Sequence, residues 1–228
     1  MKKTLLTLAV AAAFAPTLAL AEAGDIVVRL RAVNISPSED SSLGSEAAKS
    51  GLGAFLAPGS ELAVDSNTIP EIDFSYYVTK NIALELILAT GTRHDVSITK
   101  NSAGALGNQG LSDVNLLPPT LTVQWHFMPD QMFDPYVGAG VNYTIFMDDS
   151  LRTSKVAALP IDVERDSFGL ALQAGFDINL KDGWLINADV KKVWIDTDVK
   201  VKVGGAWLKI DELDIDPWVF GIGFGKKF

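Results

Sequence analysis

Asp216-Pro217-Trp218-Val219-Phe220-Gly221-Ile222-Gly223-Phe224-Gly225-Lys226-Lys227-Phe228 closes the chain and decides its fold. Trp218, Phe220, Ile222, Phe224 and Phe228 fall on even positions, with glycines at 221, 223 and 225 between them. A period of two in side-chain direction is that of a β-strand, here with one greasy face and one nearly bare. A soluble core strand rarely sets four aromatics on one face with only small residues behind them. A lipid-facing strand of a transmembrane barrel does so readily, because its outer face meets hydrocarbon and its inner face a crowded lumen. A terminal aromatic also looks like the signal that hands Gram-negative outer-membrane proteins to the barrel-insertion machinery. Lys226, on the outward face beside the end, departs from an apolar pattern, and at a membrane interface it can snorkel.

The other end points the same way. Met1-Lys2-Lys3 is a short basic segment, Leu5 to Leu20 is largely apolar, and Ala19-Leu20-Ala21 supplies a small-x-small cleavage pattern. Residues 1–21 are therefore expected to be a cleaved export signal and 22–228 a single barrel domain. The alternative, an N-terminal membrane helix, fits poorly with Pro16 and the acidic flank. No later stretch offers the ~18 uninterrupted apolar residues that a membrane helix needs. The chain is 48% hydrophobic and has no cysteine, which argues against a small disulfide-stapled secreted domain. Loss of Lys2 and Lys3 with the leader moves the net charge from −9 to −11. An acidic chain without a basic run does not favour nucleic acid as a partner.

Alternation along the chain predicts eight strands near 24–35, 68–79, 81–97, 114–127, 134–148, 165–180, 183–197 and 213–228. The second turns Ile72, Phe74, Tyr76 and Val78 outward, against Glu71, Asp73 and Ser75 inward. In the sixth, Phe168, Leu170, Leu172, Ala174, Phe176 and Ile178 oppose Gly169, Gln173, Gly175, Asp177 and Asn179. Connections after strands two, four and six are short, whereas those after one, three, five and seven are long and rich in Ser, Gly, Asp and Asn. The pattern is that of an all-β, eight-stranded antiparallel transmembrane β-barrel with long extracellular loops and short periplasmic turns. An even strand count with both termini on the periplasmic side closes the sheet and leaves no edge.

Aromatics gather in two belts. Tyr76, Tyr77, Trp125, Phe127, Phe133, Tyr136, Trp184 and Phe228 fall near the periplasmic ends, and Tyr143, Phe146, Phe168, Trp194 and Trp218 towards the outer ends. A β-sandwich core would account for the aromatics, but not for the loop asymmetry and the terminal Phe together.

Two segments carry a further likeness: Leu116-Leu117-Pro118-Pro119-Thr120-Leu121-Thr122-Val123-Gln124-Trp125-His126-Phe127 and Asp134-Pro135-Tyr136-Val137-Gly138-Ala139-Gly140-Val141-Asn142-Tyr143-Thr144. With Asn81 to Leu86, Ala89-Thr90 and Leu213 to Trp218, they resemble the OmpW family of small outer-membrane proteins, which includes AlkL-like proteins linked to alkane uptake. The likeness runs through nearly the whole mature chain and is weakest in loops one and three. It implies a porin-like channel with a narrow apolar passage, passive uptake of small hydrophobic molecules with lateral exit through the wall, and no cofactor. It also implies the outer membrane of a Gram-negative bacterium, with membrane lipid and hydrophobic solutes as partners.

Local chemistry nominates residues for that passage. Pro118 and Pro119 remove two successive backbone donors from strand four. They predict either a gap between strands three and four, lined by Leu116, Pro118 and Pro119, or a bulge that merely starts the strand. Leu52, Phe55 and Leu56 in loop one, with Phe146, are candidates for an apolar mouth; the alternative is a staple holding that loop against the rim. Arg29, Arg31, Glu71, Asp73, Glu85, Asp177, Asp189 and Lys191 all face inward by parity. In so narrow a barrel they are expected to pair into a plug rather than form an ion path.

Catalysis and metal binding find little support. His94 and His126 are the only histidines, and no HExxH or Cys/His spacing occurs. His94-Asp95 with a loop serine would mimic a triad, which keeps a lipid-modifying enzyme as an alternative, but strand neighbours point to opposite faces. The other alternative is a structural or receptor barrel whose exposed loops bind phage or bacteriocins. Asn142-Tyr143-Thr144 matches a glycosylation sequon but falls within a predicted strand.

Overall fold

A computed structural model describes residues 21–89, 92–147, 150–152 and 160–228, so all of the expected leader except Ala21 lies outside the described residues. The elements are β1 (Ile26–Ser36), β2 (Asp40–Ser41), α1 (Leu43–Lys49), β3 (Glu61–Val64), β4 (Asn67–Tyr77), β5 (Ile82–Ala89), β6 (Thr92–Thr99), β7 (Gln109–Leu117), β8 (Thr120–His126), β9 (Phe133–Phe146), β10 (Ser150–Arg152), β11 (Pro160–Val163), β12 (Asp166–Asn179), β13 (Trp184–Val193), β14 (Asp196–Val203), β15 (Ala206–Asp214) and β16 (Trp218–Lys227).

Eight of these, in the order β1-β4-β5-β8-β9-β12-β13-β16, form a closed antiparallel barrel. The last strand seals it against the first, from Val27 opposite Lys227 to Ser36 opposite Trp218. Closure satisfies the backbone internally, as hydrocarbon requires. Asp182 and Gly183, both at positive φ, make the tight turn between β12 and β13.

The barrel is inside-out relative to a soluble domain. Leu84, Leu86, Leu121, Val123, Phe220 and Ile222 are exposed on its outer face, while Arg29, Asp73, Glu85, Gln124 and Asn187 are fully buried within. The glycine face of β16 serves this interior. Arg29 and Arg31 stand opposite Gly225 and Gly223, and a Cβ at either glycine would sit 2.8 Å from the arginine Cγ.

The observed elements depart from the expected strands above the membrane. Residues 98–99, 109–113 and 198–212, expected within long loops, are largely paired strand in β6, β7, β14 and β15. There the polarity reverses: Val96, Ile98, Val199 and Val201 are buried, whereas Asp95, Asp196 and Lys202 are exposed. Above the hydrocarbon the outer face meets water, so apolar side chains turn inward and form one continuous core. Three members of the expected aromatic belts are also corrected. Tyr77, Tyr136 and Phe146 are 3%, 1% and 4% exposed and face the interior, because they share the inward parity of their strands.

Candidate functional site

The interior divides into levels. At its lower middle, three cations and five carboxylates interlock. The Arg29 guanidinium reaches Asp73 at 3.1 Å, Asp177 at 2.7 Å and the Ser75 hydroxyl at 2.7 Å. Arg31 spans Glu71 at 2.8 Å, Asp73 at 3.0 Å, Glu85 at 3.5 Å and Asp189 at 2.8 Å. Lys191 joins Glu71 at 3.2 Å to Asp189 at 2.9 Å. Carboxylates outnumber cations, and neutral donors serve part of the remainder: Thr122 donates to Glu85, Gln173 to Asp189 Oδ2 and Asn187 to Asp177, while Asp189 Oδ1 has no hydrogen-bond partner among the described residues. Removing a partner from such a network would strand a buried charge.

Beneath it His126 lies between Tyr77 and Tyr136, with ring centroids 5.0 and 4.9 Å away, and its Nδ1 is 2.7 Å from Asp134. His126, Asp134 and Asp177 lie close enough to share a metal ion. Both oxygens of Asp177 are engaged, by Arg29 and Asn187, so the trio reads as part of the same hydrogen-bonded floor.

Above the plug the walls turn apolar. A lower chamber of about 50 Å3 is lined by Val33, Ile35, Ile87, Leu116, Pro118 and Val193, with Glu71, Lys191, Thr120, Asn142 and His94 as its polar margin. Higher up, Val64, Val96, Val114, Phe146, Val163 and Leu213 close to a waist of about 20 Å3, room for roughly one water. The mouth widens again to about 290 Å3 between Leu43, Leu52, Phe55, Leu56, Ile98, Leu106 and Ile210. Loop one holds its shape there through Asn101, which accepts from the Ala57 amide at 2.8 Å and donates to the Phe55 carbonyl at 3.1 Å. Its start is anchored on β15, where Asp211 accepts from the Ser41 hydroxyl at 2.6 Å and the Ser42 amide at 2.7 Å. Burial pushes the Asp211 carboxyl up to about 6, against the pull of those serine bonds.

Pro118 and Pro119 sit at the level of the lower chamber. Pairing of β5 with β8 ends at Ile87 opposite Thr120 and resumes between β6 and β7 only at Thr92 opposite Leu116. Among the described residues, Leu88 and Ala89 on one side and Leu117, Pro118 and Pro119 on the other have no partner in that ladder. The opposite side is sewn shut. The Tyr143 amide donates to Pro119 O at 3.0 Å, and Asn142 Nδ2 approaches Pro118 O at 3.3 Å, Pro119 O at 3.4 Å and Thr120 Oγ1 at 2.8 Å. Thr144 donates to Asn142 Oδ1 at 2.6 Å and fixes the amide. Among the described residues the wall is thus unpaired towards β5 and held towards β9.

The candidate residues fall at separate levels. Leu52, Phe55 and Leu56 line the mouth, Phe146 the waist, and Leu116 and Pro118 the lower chamber, while Pro119 alternates outward and is half-buried. His94 and Asp95 diverge as strand neighbours must: His94 is buried and bonded to the Asp65 carbonyl, while Asp95 is exposed. Asn142, read from sequence only as a discounted sequon, is buried and engaged with the prolines. Its inward parity on the same strand as Tyr136 was the available signal.

Comparison with known proteins agrees with this architecture. The OmpW family model matches residues 22–228. Outer membrane protein W of Vibrio cholerae serotype O1 is 39% identical over 232 residues, covering 100% of each chain. The crystal structure of the outer membrane protein OprG from Pseudomonas aeruginosa superposes with a TM-score of 0.73 at 31% identity, over 91% of this chain and 97% of that one. A more distant relative is the dibenzothiophene metabolism operon protein PahQ of Pseudomonas aeruginosa, 26% identical over 181 residues, 79% of this chain and 81% of PahQ. This chain belongs to the OmpW family of outer-membrane β-barrels of Gram-negative bacteria.

Proposed function

We propose that the protein is a passive, non-enzymatic conduit for small hydrophobic molecules, which enter at the extracellular mouth and leave sideways through the wall between β5/β6 and β7/β8. One observation carries this reading: the apolar interior descends onto a buried ion-pair plug at the level where Pro118 and Pro119 interrupt the ladder. A solute that reaches the chamber meets charge below and, beside it, a stretch of wall unpaired among the described residues. Apolar matter does not cross an array of paired charges cheaply, whereas the hydrocarbon outside the wall is a favourable destination. The relative named for dibenzothiophene metabolism supports an apolar solute class.

In this reading residues 1–21 are removed on export, and the strand ending in Phe228 is what the barrel-insertion machinery engages. The exposed loops are also open to phage or bacteriocins. The test compares uptake of a long-chain alkane by cells lacking the protein and by the same cells complemented with it. Faster uptake on complementation is expected, and equal uptake at matched barrel abundance rejects the conduit.

A further inference from the structure

His94 stands on β6 at the margin of the lower chamber and is only 2% exposed. Its Nδ1 lies 2.7 Å from the backbone carbonyl of Asp65. A carbonyl oxygen only accepts, so Nδ1 carries the hydrogen, and in the neutral ring Nε2 is left as a bare acceptor. Nε2 has no hydrogen-bond partner among the described residues. The other polar groups around the chamber are already committed: Lys191 to Glu71 and Asp189, Asn142 to Thr120, Thr144 and the proline carbonyls. Unpartnered, yet not among the fully enclosed polar atoms without a partner, Nε2 keeps accessible surface for a donor that a solute brings.

We infer that His94 Nε2 is a recognition point for the hydroxyl of an otherwise apolar solute, so that the chamber selects aliphatic alcohols and phenols over plain hydrocarbons. This rests on the conduit reading and narrows its solute class. A chamber of about 50 Å3 holds only a few heavy atoms, so it reads the end of a molecule and leaves the tail to the apolar space above. His94 lies two residues along β6 from Thr92, the first residue paired above the ladder interruption. A hydroxyl bonded there is held beside the lateral gap.

The chain has two histidines, so ring-15N spectra of the full protein in phosphatidylcholine bilayers carry their own reference in His126. Adding 1-dodecanol should move His94 Nε2 while His126 stays fixed, and dodecane should leave both unmoved. No shift with the alcohol, or equal shifts with both additives, overturns the inference and leaves water as the occupant. In deletion cells complemented with His94→Phe, dodecanol uptake relative to dodecane should fall roughly three- to tenfold, the range of one neutral hydrogen bond. His94→Gln, which keeps a donor for Asp65 and an acceptor for the chamber, should restore the ratio. Protein-dependent uptake of both compounds with an unchanged ratio defeats the role of His94 alone. Uptake of neither defeats the conduit, and the bilayer spectra then still decide whether His94 binds the alcohol. Should His94→Phe not assemble, the wild-type spectra settle the matter.

Discussion

Arg31 and Gly223 face each other across the closing seam of the barrel, and a Cβ on Gly223 would stand 2.7 Å from the Arg31 Cα and 2.8 Å from its Cγ. The bare face of the last strand is thus the space through which the arginine reaches Glu71, Asp73 and Asp189. The closing seam and the ion-pair plug meet in this one pair.

Gly223→Val should therefore destabilise the closed barrel by about 1–3 kcal/mol, the usual range for overpacking. Urea unfolding in detergent micelles checks it. A variant as stable as the parent would mean that the seam yields without disturbing the plug.

Arg31→Met should cost more, about 3–5 kcal/mol, because it leaves buried carboxylates without their cation. Arg31→Lys should fall between the two, since an ammonium cannot reproduce the fork that spans both sides of the lumen. Unfolding midpoints in the order wild type, Lys, Met are expected; a Met variant matching wild type would show that the remaining cations suffice.

Asn142→Leu preserves volume but removes the donor shared by the carbonyls of Pro118 and Pro119. A loss of about 1–3 kcal/mol is expected for the unmet acceptors. Faster amide exchange at Tyr143, whose N–H is bonded to Pro119, should accompany it. Unaltered exchange there would remove the clamp from the account.

Asp211 supplies a pH dependence above the membrane. Burial raises its carboxyl from 3.8 to about 6, so the folded protein holds a proton that the unfolded chain releases between those values. Docking of loop one should therefore weaken as pH rises through that window. Exchange protection of the Ser42 and Leu43 amides should be greater at pH 5 than at pH 7, and Asp211→Asn should flatten the difference. A rise in protection with pH would contradict the assignment.

Much of the wall was legible because hydrocarbon enforces a strict alternation: Leu121, Val123 and Trp125 outward against Thr122, Gln124 and His126 inward. The same parity placed Arg29 and Arg31 opposite the glycines of β16. It also held for Tyr77 and Tyr136, whose aromatic character concealed their inward direction. The upper strands were harder to see, since Val199, Val201 and Val203 alternate with lysines on a face that meets water, and that polarity imitates a loop. Asn142 and His94 depend on contacts to Pro118, Pro119 and Asp65 across neighbouring strands, which no local pattern reveals.

The lateral exit rests on the two prolines. The Pro119 carbonyl accepts from β9, and residue 118 has no N–H to give to the ladder. Valine at both positions would return that donor to the interrupted ladder. The decisive measurement is long-chain alkane uptake by cells carrying Pro118→Val/Pro119→Val at wild-type barrel abundance. Uptake falling towards the level of cells lacking the protein is the predicted result, and uptake equal to that of the wild type would contradict the account.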